Sequence, residues 1–132
     1  MEKLQGKSID ELPICGVLSV SKVSNISLEE TFNTFKRLTK KTNGWKGRTF
    51  HSERVKVLKH YNVKYQEFNL FGMTLKTFVD QHTVKDTTYI VTTSSHVQVI
   101  KNDMVTDQEG TVHISEYWGR NKKLKKTQIK VK

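Results

Sequence analysis

Cysteine and proline each occur once in this chain of 132 residues, as Cys15 and Pro13. One thiol cannot form an internal disulfide, so a disulfide-stapled scaffold and a Cys-rich zinc module are both excluded. No stretch approaches the ~18 consecutive apolar residues of a membrane span. The opening residues carry acids where a secretory signal needs a basic region followed by an apolar run. Leu-Pro-Ile-Cys at 12–15 has no apolar run before it either, which argues against a lipoprotein cleavage site. Seven scattered glycines mark no linker, and no internal repeat or low-complexity tract is present. These absences predict a single soluble domain over residues 1–132, with a cytoplasmic location, no membrane partner and no cofactor. Six Phe, four Tyr and two Trp supply the means to build its core.

What the chain has in excess is positive charge, a net +10 placed unevenly. Residues 36–64 hold ten Lys and Arg against one acid, Glu53, for a net of +9. Residues 117–132 hold seven basic residues and no acid. Such blocks suit nucleic acid, because Lys and Arg displace counterions from phosphate. They equally suit a solvated surface, and the run Lys-Lys-Leu-Lys-Lys at 122–126 suits a lysine-guarded edge strand. No Gly-rich clamp or aromatic ladder accompanies the charge.

Periodicity divides the chain into helices first and strands second. A short buried helix is predicted from Cys15 to Val23, ending near Asn25. A second begins at the capping-box sequence Ser27-Leu-Glu-Glu30 and carries Leu28, Phe32, Phe35 and Leu38 on one face, with Asn43-Gly44 breaking it. A third is expected from Thr49, its cap, to about Tyr61. Phe50, Val57, Leu58 and Tyr61 would point inward, with Arg54, Lys56 and Lys59 outward. Strand signals follow at 63–68, 87–93, 96–101 and 104–107, interrupted by a helix at 74–81 capped by Thr74. A last strand is expected over 122–131. The order is that of an α+β fold.

The turn Asn102-Asp103 carries the chemistry. A two-residue hairpin pairs Lys101 with Met104, so Asp107 falls opposite Gln98. His96, Gln98 and Asp107 then share one face, with His96 and Asp107 as diagonal neighbours. A carboxylate so placed fixes the tautomer of an imidazole and stabilises its charged form. The only thiol, Cys15, sits at a helix N-terminus, where the dipole favours a thiolate and free N–H groups can hold an oxyanion. Cys15, His96 and Asp107 are therefore the candidate nucleophile, base and orienting acid. His51, His60, His82 and His113 read as structural, and no His/Asp/Glu set has metal-ligand spacing on one element. Trp45 and Trp118 read as packing residues that can also wall a groove.

A Cys-Gly opening a helix, a Ser-Leu-Glu-Glu second helix, then strand, Ser-His-Val and an Asp after a tight hairpin resemble a small papain-like cysteine peptidase. The pattern is most similar to bacteriocin-processing peptidase-like domains and short phage-encoded versions of them. It covers residues 12–108, and its densest piece is 89–107. The resemblance implies N-terminal helices packed on a C-terminal antiparallel sheet. It also implies a thiol hydrolase that acts on an amide bond of a protein or peptide substrate, or transfers the acyl group on the same residues. Three positions depart from the family. Ile14 stands where Asp or Asn usually precedes the nucleophile. Gln5 lies ten residues upstream of Cys15, where the oxyanion Gln is usually about six. Ser95 replaces the Gly before the His. These departures frame the alternative, a catalytically inactive papain-like domain that binds a host protein or nucleic acid, the latter through residues 36–64 and 117–132.

Overall fold

The computed structural model describes residues 12–132 apart from Ser95, together with the backbone of two short paired strands, β1 (Lys3–Leu4) and β2 (Lys7–Ser8). Gln5 and Ser95, two of the departures noted above, lie outside the described residues. Three helices follow: α1 (Cys15–Ser24), α2 (Leu28–Leu38) and α3 (His51–His60). The remainder is β3 (Tyr65–Phe68), α4 (Leu75–His82), β4 (Thr88–Thr93), β5 (His96–Lys101), β6 (Met104–Asp107), β7 (Gly110–His113), a 3-10 turn at Ile114–Glu116 and β8 (Gln128–Val131). The last six strands form one antiparallel sheet in the order β3-β8-β4-β5-β6-β7.

α1 is buried nearly all round, from Gly16 to Ser21, because it lies between the sheet and the other two helices. It stops at Asn25, which takes the left-handed conformation (φ 57°) suited to a C-cap. α2 begins at Ser27, whose hydroxyl accepts the Glu30 N–H at 3.1 Å. Its stripe of Leu28, Phe32 and Phe35 is buried, each side chain contributing about 1.5–3 kcal/mol over an exposed position. The helix ends at Leu38, earlier than Asn43-Gly44, with Lys40 at φ 55° in the turn that follows.

The sheet is covered on both faces. Ile90, Val97 and Ile129 pack with the side chains of α1, α2 and α3. Tyr89, Val91, Ile100 and Val105 pack on the other face against Leu75, Phe78 and Val79 of α4, together with Ile114, Tyr117 and Leu124. Period-two alternation along β4 sorts Tyr89 and Val91 from Ile90, so each strand serves two cores.

Three expectations need correction. α3 starts at His51 with Phe50 as N-cap residue, not Thr49. The Phe50 N–H is held by Glu53 at 2.9 Å. Val57 and Leu58 are inward as expected, but Phe50, outside the helix at its cap, is 72% exposed. Arg54, three and four residues before Val57 and Leu58, shares their face at 3% exposure. Residues 122–126 are not an edge strand. They make only isolated bridges, Thr74 with Lys123 and Thr93 with Leu124. The last strand is confined to 128–131 and lies inside the sheet, between β3 and β4, because Ile129 and Gln128 are apolar or hydrogen-bonded enough to be buried.

Candidate active site

Cys15 is the first residue of α1, His96 the first of β5 and Asp107 the last of β6, so the three side chains come from element ends on one side of the fold. The placement of His96 and Asp107 follows from the hairpin. Asn102 and Asp103 both have positive φ, 49° and 66°, the requirement of a type I′ turn that Asn and Asp tolerate. Lys101 pairs with Met104, and the ladder runs to Val99 and Thr106. One diagonal further, His96 Nε2 lies 3.0 Å from Asp107 Oδ2.

Asp107 is 5% exposed and well satisfied. Its Oδ2 also accepts the Tyr117 hydroxyl at 2.8 Å and the Trp118 indole N–H at 3.3 Å, while Oδ1 accepts the Glu109 N–H at 2.8 Å. Burial pushes its carboxyl pKa up. The hydrogen bonds from His96, Glu109 and Tyr117 and the charge of His96 outweigh burial and hold it below the ordinary value. Burial and the neighbouring carboxylate raise Tyr117, so it stays a hydrogen-bond donor.

The bond to Asp107, then the bond to Cys15, raise His96 to about 9 against the opposing effect of burial. The carboxylate occupies Nε2, which leaves Nδ1 for the thiol. Burial pushes the Cys15 thiol up. The hydrogen bond and charge of His96, the Val97 N–H and the charge of Arg54 reverse that and lower it overall. Both shifts run in the direction that favours a thiolate beside an imidazolium.

The backbone adds a third component. The first intrahelical bond of α1 runs from Leu18 N–H to Ile14 C=O at 2.8 Å, so the N–H groups of Cys15, Gly16 and Val17 precede it. Ile14 supplies no side-chain cap to them. A cavity of about 270 Å³ opens on this corner, lined by Cys15, Gly16, Thr49, Arg54, His96 and Gln108 among others. Beside it, Trp118 sets its ring edge-on to His96, with centroids 5.1 Å apart, and Lys122 lies 5.4 Å over the indole. Trp45 instead packs in the helical core, stacked on Phe32 at 4.9 Å.

Compared by sequence, the chain matches no protein-family model and no curated protein. Compared by shape, it matches the crystal structure of a double glycine motif protease from an AMS/PCAT transporter, solved with a leader peptide. The TM-score is 0.54 at 14% identity, and the match covers 99% of this chain and 90% of that one. The fold resembles that of this double-glycine-motif protease. The resemblance expected from residues 12–108 therefore extends over the full length of the chain, as an α+β fold with N-terminal helices on an antiparallel sheet. No helix among the described residues is long and apolar enough to cross a membrane.

Four contributors to this corner were not legible as such. Arg54 lies on the same helical face as Val57 and Leu58, but its charge argues for an outward position beside Lys56 and Lys59. Tyr117 and Trp118 reach Asp107 only because the 3-10 turn folds the chain back after β7. Gln108 donates to the Leu12 C=O at 3.2 Å, a link across most of the sequence. Trp118 was read only as a packing residue or a groove wall, and its adjacency to Tyr117 is the one signal that could have marked the pair.

Proposed function

We propose that this protein is a thiol hydrolase that cleaves an amide bond of a peptide substrate through Cys15, His96 and Asp107. The observation that carries the reading is the His96–Asp107 contact at 3.0 Å beside a thiol whose pKa His96 lowers. The Cys15 thiolate attacks the scissile carbonyl carbon, forming a C–S bond and an oxyanion that the N–H groups at the start of α1 stabilise. The His96 imidazolium gives its proton to the amine as the C–N bond breaks. Neutral His96 then takes a proton from water as the water oxygen attacks the thioester. Collapse of that second intermediate releases the acid and restores the thiolate. Asp107 keeps the imidazole oriented throughout and stabilises its charged form. A peptide substrate is supported by the structural relative, a protease solved with a leader peptide.

The test is labelling of Cys15 by an amide-mimicking electrophile, with peptide cleavage followed in parallel. Wild-type protein is expected to label far faster than free cysteine near neutral pH, and Cys15→Ala to stay folded without labelling or cleavage. Labelling of folded wild-type protein no faster than free cysteine rejects the hydrolase and leaves the binding-module reading.

A further inference from the structure

Arg54 is the most deeply buried charge in the described structure, at 3% exposure. Burying a guanidinium is costly unless hydrogen bonds or an opposite charge compensate. Its hydrogen bonds all go to neutral oxygens. Nη1 donates to the Thr49 C=O at 3.0 Å and Thr49 Oγ1 at 2.9 Å, and Nη2 donates to Thr92 Oγ1 at 3.2 Å. Nε is buried without a partner. The adjacent acid, Glu53, is engaged with the Phe50 N–H and Lys41, and Glu67 faces His51 at 3.5 Å. No ion pair with a carboxylate compensates this charge among the described residues.

What the guanidinium does face is the start of α1. A Cβ placed on Gly16 would lie 3.3 Å from Arg54 Cδ and 3.4 Å from Nη1. Arg54 lines the same cavity as Cys15 and His96. The charged groups around the thiol are thus His96 from β5, Arg54 from α3 and Arg48 on the cavity wall, with Asp107 behind His96.

We propose that Arg54 is a positioning residue that holds Cys15 as a thiolate, a fixed cation delivered from α3 to the first turn of α1. The inference rests on the nucleophilic role of Cys15 but not on peptide turnover. It gives the site something His96 cannot supply. His96 loses its charge when it protonates the leaving amine, whereas Arg54 keeps its own, burial drawing its pKa only to about 10. The thiolate that leaves in the second half of the reaction therefore re-forms beside a positive charge that has not moved. The close approach also explains the small residue after the nucleophile, since Thr49 and Arg54 occupy the space a side chain at Gly16 needs.

The experiment is the rate of Cys15 alkylation by iodoacetamide as a function of pH in wild type, Arg54→Lys and Arg54→Met. Arg54→Met is expected to move the thiol midpoint upward, with about a tenfold loss of thiolate below it for each pH unit moved. Arg54→Lys, which keeps the charge, is expected to stay near wild type. An unmoved midpoint in Arg54→Met, or an equal movement in both variants, overturns the proposal. Because Arg54→Met can fail to fold, the Arg54 Nε–H resonance of wild-type protein is followed through the same titration. It is expected to shift with the Cys15 midpoint and to stop responding once Cys15 is alkylated. A resonance indifferent to Cys15 overturns the proposal equally. A wild-type midpoint equal to that of free cysteine removes both this inference and the hydrolase. A depressed midpoint that depends on Arg54, without peptide cleavage, removes the hydrolase alone.

Discussion

His96 and Asp107 meet across a register diagonal: the β5–β6 ladder closes at Val99 and Thr106, and Nε2 reaches Oδ2 at 3.0 Å just beyond it. The contact depends on the two-residue turn at Asn102-Asp103, because a one-residue slip would send the two side chains to opposite faces. Asp107→Asn keeps the shape of the side chain and an acceptor for Tyr117, but removes the charge that raises His96. Peptide cleavage is expected to fall by about 100-fold or more, the lower range for a lost acid–base component. The pKa of His96, read by NMR, should drop from about 9 toward the ordinary imidazole value. Cleavage unchanged in this variant would remove Asp107 from the mechanism.

The opposed shifts of Cys15 and His96 give two different pH profiles. Alkylation by a neutral reagent needs only the thiolate, so it should rise through a midpoint below the ordinary thiol value and then hold a plateau. Hydrolysis also needs the His96 proton, so it should rise through the same midpoint and fall above about 9. Stability follows the same groups. The raised pKa of His96 contributes stability that is complete below its unfolded value and is lost as pH rises through about 9. The lowered pKa of Asp107 contributes stability present above its unfolded value and lost as pH falls through the depressed one. Denaturant midpoints of wild type and His96→Gln should therefore converge above pH ~9 as the imidazolium contribution disappears.

Tyr117 and Asp107 form a bond in which a buried hydroxyl faces a charged acceptor at 2.8 Å. Tyr117→Phe leaves the ring in the core beside α4 but withdraws one of the donors to Oδ2. The expected loss is about 1.5–3 kcal/mol of unfolding free energy, the range for a hydrogen bond to a charged group. With less to satisfy the carboxylate, the Asp107 pKa should rise from its depressed position, measurable by NMR of the side-chain carboxyl. A stability equal to wild type with an unmoved Asp107 would show that Trp118, Glu109 and His96 suffice.

How much of this was readable depends on the range of the physics involved. Local signals identified their elements: Ser27 and Thr74 as caps, Asn25 as a helix stop, Asn102-Asp103 as a turn that fixes which residues share a face. Together they were enough to bring His96 and Asp107 into one pairing and to set Cys15 at a helix start. Contacts made by folding distant segments together left no such trace. Arg54 shares a helical face with Val57 and Leu58, but a guanidinium reads as a surface group until Thr49, Thr92 and the first turn of α1 close around it. Tyr117 and Trp118 required the chain to turn back after β7, and nothing in the residues 110–116 announced that 3-10 turn. The placement of β8 between β3 and β4 is likewise a matter of topology, since the lysines at 122–126 that precede it suited an edge strand.

The space behind Gly16 supplies a final test that separates packing from charge. A Cβ there would run into Thr49 Oγ1, which forces Thr49 or α1 to move. Gly16→Ala should therefore cost about 1–3 kcal/mol, the range for overpacking a close-fitted interior, although alanine is the better helix former. Gly44 has open space around it and no positive φ, so Gly44→Ala should lie within about 0.5 kcal/mol of wild type. The displaced Thr49 also loosens its grip on Arg54 Nη1, so Gly16→Ala should raise the alkylation midpoint of Cys15 while Gly44→Ala leaves it in place. Chemical denaturation and the iodoacetamide profile, run on the same two variants, read both effects. A Gly16→Ala protein as stable and as reactive as wild type would mean that Thr49 has room to withdraw without carrying Arg54 with it.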